Sequence, residues 1–122
     1  PMASSNPTSS FHGSLHTRLW AFDEESVYDA PEVAGVYALW RYGRVIYYGC
    51  ATGGESTIRS CLAEHFVGLR GAATRNASHC SWELSARPGR RHLELLQSHW
   101  AVYSAWPACN TGVGGLPGPR ED

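Results

Sequence analysis

The chain has 122 residues, which allows one domain of ordinary size and excludes barrel and two-domain architectures. Apolar residues make up 43%, with 5 Trp, 6 Tyr and 3 Phe, enough to build a core and at odds with disorder. A net charge of -1 argues against a nucleic-acid binder by itself, yet it is unevenly spread: residues 33–110 carry eight Arg against four Glu, and residues 1–32 one Arg against five acids.

In chain order, residues 1–13 read as a disordered leader, 14–110 as a single domain and 111–122, half Gly and Pro, as a flexible tail. Residues 15–33 read as an irregular lead-in whose Trp20 and Phe22 cover the core. Gly35–Trp40 and Val45–Tyr48 are short runs rich in β-branched and aromatic residues, and Gly43 between them supplies a hairpin turn. Ser56 or Thr57 can cap a helix whose stripe Ile58, Cys61, Leu62, His65 and Phe66 follows the 3.6-residue period. Residues 68–78 read as loop, and His79–Ala86 as a third strand broken by Pro88 and Gly89. Leu93, Leu96, Trp100 and Tyr103 then mark a second long helix ending before Pro107. The expected fold is α/β: a small three-stranded, mainly antiparallel sheet flanked by helices, in the order β-β-α-β-α.

No apolar run reaches the roughly 18 residues a membrane span needs, and no secretory signal is visible, so a cytoplasmic protein with no membrane partner is expected. The cysteines Cys50, Cys61, Cys80 and Cys109 form no close pair, so reduced thiols are the default, and a zinc site from Cys50, Cys61, His65 and Cys80 lacks the usual ligand spacing. All ten basic residues are Arg, which suits bidentate phosphate recognition, although a GC-rich coding sequence produces the same bias.

Gly35-Val36-Tyr37, nine residues, then Tyr47-Tyr48-Gly49 resembles the paired tripeptides of the GIY-YIG nuclease superfamily. Thr57–Phe66 is similar to the helix that carries the family's Arg and His, Leu93–Leu96 to the helix that carries its metal-binding Glu, and Pro107–Asn110 to its closing Pro-x-x-Asn. The resemblance implies divalent-metal-dependent hydrolysis of nucleic-acid phosphodiesters by an endonuclease. In that scheme Glu94 ligates one Mg²⁺ or Mn²⁺, Tyr37 is the general base, Tyr47 orients water or phosphate, and His65 binds a phosphate oxygen or assists proton transfer. Arg59 would supply the guanidinium, and Gly35, Gly49 and Asn110 are motif positions with structural roles. The implied partner is the DNA or RNA backbone, gripped by Arg41, Arg44, Arg90 and Arg91, with a homodimer or a separate targeting protein supplying specificity.

Each residue also has a structural reading. The tyrosines serve as strand aromatics, His65 as a satisfied core histidine, Glu94 as a helix-start carboxylate and Asn110 as a turn closer. The sequence also departs from the family pattern, because the Arg expected four residues before His65 is Cys61. A thiol has neither fixed charge nor forked donors, and Arg59 falls about 200° around the helix from the Cys61 and His65 face. Arg90, Arg91 or Arg41 could fill the gap from elsewhere, and Glu83 is the fallback carboxylate. The alternative is a degenerate, catalytically weak module that binds nucleic acid without the family Arg.

Overall fold

The computed structural model describes residues 15–110, so the expected leader and tail lie outside the described residues. The elements are β1 (Trp20–Ala21), α1 (Glu24–Asp29), β2 (Gly35–Arg41), β3 (Arg44–Ala51), α2 (Ile58–Phe66), α3 (Ala72–Arg75), β4 (His79–Leu84) and α4 (Pro88–Tyr103). They form a small α/β fold around one sheet in the order β1-β4-β2-β3, every pair antiparallel.

Four strands replace the expected three. The lead-in holds both a strand and a helix: β1 has two residues and exists only by pairing Trp20 with Cys80 and Ala21 with His79. Six-residue α1 is too short to show a period and is fixed by Asp23, whose carboxylate accepts from the Ser26 amide. The stretch 68–78 likewise contains α3. Pro88, read as a breaker, opens α4 at a position where its missing N–H costs no hydrogen bond.

The hairpin turns through Tyr42 and Gly43, both with positive φ, between the paired Arg41 and Arg44. Helix α2 starts where the sequence indicates: Thr57 accepts from the Ser60 amide while Ser60 Oγ accepts from the Thr57 amide.

Alternation along β2 divides the core in two. Tyr37 and Leu39 face α2 and pack with Phe22, Val27, Ile58, Cys61 and Leu62. Val36 and Ala38 face α4 and pack with Tyr48, Leu95, Leu96 and Leu15. Strand β3 ends the sheet, but its outer edge is covered by the chain after α4: Cys109 N–H donates to Ile46 C=O at 2.7 Å. Asn110 Oδ1 accepts from Tyr48 N–H at 2.8 Å, and Asn110 Nδ2 donates to Tyr48 C=O at 3.0 Å. The side-chain amide thus pairs as a neighbouring strand would, sealing an edge otherwise open to foreign strands.

Candidate functional site

Because Tyr37 pairs with Gly49 and Leu39 with Tyr47, Tyr37 and Tyr47 of the signature project from one face of the sheet toward α2. There they meet His65, the last buried residue of the α2 stripe. Tyr37 Oη lies 3.0 Å from His65 Nε2, and His65 Nδ1 lies 2.8 Å from Thr74 Oγ1 on α3. The Tyr47 ring stacks at a tilt on the imidazole, centroids 4.8 Å apart, and lies 6.1 Å from the Tyr37 ring. The structure therefore brings together Tyr37, Tyr47 and His65 from the residues singled out in the sequence.

Two close approaches explain the glycines of the motifs. A Cβ on Gly49 would run into the Tyr37 ring and its hydroxyl, and one on Gly35 would run into the Glu83 carbonyl and Ile58. Their lack of a side chain lets Tyr37 lie flat against β3 and α2 approach the start of β2.

Two of the cluster's three members are sealed, while Tyr47 is half-buried. Tyr37 and His65 are each 1% exposed, and burial pushes the Tyr37 phenol well above its ordinary range, with Tyr47 adding to the effect. Burial also pushes the His65 imidazole down to about 4, reinforced by the positive charge of Arg70. A neutral imidazole has one donor and one acceptor, and here Tyr37 and Thr74 take both.

Besides Thr74, sequence reasoning missed Arg70. It lies in the loop after α2 and is held by Glu64, its Nε donating to Oε1 at 2.9 Å. Its charge is felt by His65 and Tyr37, drawing the Tyr37 phenol back toward ionisation against the burial effect. No helical spacing points to a loop residue, so only the tertiary path of the chain brings this charge to bear on Tyr37 and His65.

Arg59 does not join the cluster. Its Nε donates to Ala30 C=O at 2.9 Å and its guanidinium pairs with Glu32 at 3.3 Å, so it ties α2 to the end of α1. Cys61 faces the cluster as expected but is buried, 3.6 Å from Ser56 Oγ.

Glu94 is also elsewhere. It rides on α4, whose Leu95 and Leu96 pack on the Val36 and Ala38 face of the sheet, opposite to Tyr37. Its carboxylate accepts from Arg91 at 3.3 Å, and Arg91 in turn donates to buried Glu83 at 2.8 Å. Glu83, the fallback carboxylate, is thereby engaged on the same face, being the cross-strand partner of Val36. His92 of α4 reaches edge strand β3, its Nε2 lying 3.0 Å from Tyr48 C=O. Among the described residues no group of three His, Cys, Asp or Glu comes together to hold a metal. A single divalent ion bound to Glu94 does not fit the tyrosine cluster, because sheet and core lie between them.

Of the four arginines expected to grip a backbone, Arg41, Arg44 and Arg91 line one cleft and Arg90 stands outside it. Arg41 and Arg44 bracket the hairpin turn, whereas Arg90 and Arg91 lie on the first turns of α4. The motif residues Gly35, Gly49 and Asn110 all have structural roles. No helix among the described residues is long and apolar enough to cross a membrane.

Comparison with models of protein families, with curated proteins and with solved structures finds no match to this chain.

Proposed function

We propose that this chain is a nucleic-acid-binding domain of GIY-YIG-like architecture in which the tyrosine and histidine cluster forms part of the core and assembles no hydrolytic centre. One observation carries this reading: the chain Thr74–His65–Tyr37 closes on itself inside the protein, while the Glu94 carboxylate is occupied by Arg91 across the sheet. The order of strands and helices and the paired tripeptides support the GIY-YIG resemblance. Arg41, Arg44, Arg75, Arg87 and Arg90 have no carboxylate partner among the described residues, which supports binding to a polyanion. Metal-dependent cleavage is the competing reading, favoured by the convergence of Tyr37, Tyr47 and His65 near Arg70.

Labelled single- and double-stranded DNA and RNA, incubated with Mg²⁺, Mn²⁺ or a chelator at graded salt, separate the two. Binding that weakens with salt, ignores the chelator and leaves the strands intact is the expected result. Metal-dependent cleavage that disappears in Tyr37→Phe or Glu94→Ala would overturn it.

A further inference from the structure

On the α4 side of the sheet, the hairpin β2–β3 and the second half of α4 enclose a cleft of about 750 Å³, a size usual for ligand sites. Trp40, Tyr48, Tyr103 and Trp106 line it, with Tyr42 at the rim. Arg41, Arg44 and Arg91 also line it, together with His16 and His99, and among the described residues no Asp or Glu does. Among the described residues, Arg91 alone of the three guanidiniums is paired with carboxylates. Arg41 lies 4.9 Å from the Tyr42 ring centroid and Arg44 5.5 Å from that of Tyr103, cations resting on exposed aromatic faces.

Tyr42 is 84% exposed and Tyr103 54%, so two large rings stand in water beside unneutralised positive charge. A purely anionic ligand would leave the rings unused, and an apolar aromatic one would leave the guanidiniums unused. Unpaired nucleotides present a flat face and a phosphate at each step, whereas in a duplex the base faces are stacked on one another. We infer that this cleft binds an unpaired nucleic-acid strand, with bases stacking on Tyr103 and Tyr42 and phosphates paired with Arg44 and Arg41. The inference rests on the nucleic-acid-binding reading above and narrows it to single strands at one surface.

The test measures the full chain binding labelled oligothymidylate and a duplex of equal length at about 50 mM salt, where phosphate contacts are strong. Fluorescence anisotropy gives affinity, and quenching of tryptophan reports stacking near Trp40 and Trp106. The single strand is expected to bind about tenfold more tightly or better, and Tyr103→Ala to weaken it roughly 5- to 100-fold. Arg44→Ala should reduce the slope of log affinity against log salt by about 1. Tyr103 and Tyr42 are surface residues, so Tyr42→Ala provides a second variant that leaves the core intact. Equal or tighter binding of the duplex, or an unchanged single-strand affinity in both tyrosine variants, overturns the cleft assignment while leaving nucleic-acid binding in place. The same holds if inorganic polyphosphate competes fully without quenching, or if a concentration-dependent dimer that Tyr103→Ala dissolves shows the cleft to seat a second copy. Failure to bind any strand or duplex overturns both readings.

Discussion

Gly49 of β3 lies directly beneath the ring of Tyr37 on β2, so close that a single methyl group at position 49 would overlap the phenol carbon and its hydroxyl. The third residue of each signature tripeptide thus explains the other, through packing alone. Gly49→Ala is expected to destabilise the fold by about 3 kcal/mol, since an extra methylene in a filled core displaces its neighbours. Urea denaturation would show it as a lower midpoint with an unchanged slope, and a shift of the midpoint near zero would contradict the contact.

The buried imidazole makes stability depend on pH. His65 titrates near 4 when folded and near 6.5 in a free chain, so below about 6.5 the unfolded state takes up a proton that the folded state refuses. Stability therefore falls as pH drops from about 6.5 to about 4, by up to about 1.4 kcal/mol per pH unit from this group, and its contribution levels off below. His16 and His92, both shifted downward by burial, act in the same direction. Denaturation midpoints across this window should have a shallower slope in His65→Gln; a parallel slope would mean the imidazole is solvated.

Asn110 replaces a missing strand at the edge of β3. Asn110→Ala would leave the Tyr48 amide without its partner and is expected to cost about 2 kcal/mol. Asn110→Asp keeps the acceptor but places a carboxylate against the Tyr48 carbonyl, and should be no better. Amide exchange at Tyr48 that stays slow in Asn110→Ala would refute the clasp.

Arg91 joins two carboxylates of very different exposure. Glu83 is buried, so Arg91→Ala strands its charge and is expected to cost about 3 kcal/mol, partly recovered in the double variant with Glu83→Gln. Glu94 is on the surface, and Glu94→Ala should change stability by less than about 0.5 kcal/mol. A double-mutant cycle by thermal unfolding checks the contrast. A large loss for Glu94→Ala would show that its carboxylate does more than pair with Arg91.

Much of the frame was written in local pattern. The hairpin follows from two β-rich runs around Gly43, α2 from Thr57 and a one-sided stripe, and α4 from leucines and aromatics at helical spacing. The helical period also turned Arg59 away from His65. Each of these is set by a repeat of two or 3.6 residues, which neighbours in sequence determine.

Tertiary structure decided the rest, because it depends on which surfaces meet. β1 and α1 are too short to carry a period and exist only against β4 and α2. Helical periodicity gives Glu94 an outward face but not the side of the sheet on which α4 lies; the packing of Leu95 and Leu96 on Val36 and Ala38 fixes that, and separates the carboxylate from the tyrosines. Arg70 and Thr74 reach the cluster from a loop and a single-turn helix, where no spacing rule aims a side chain. The residue types of a site can be read from local chemistry, but their convergence is a property of the packed chain, since only close packing fixes distances between segments far apart in sequence.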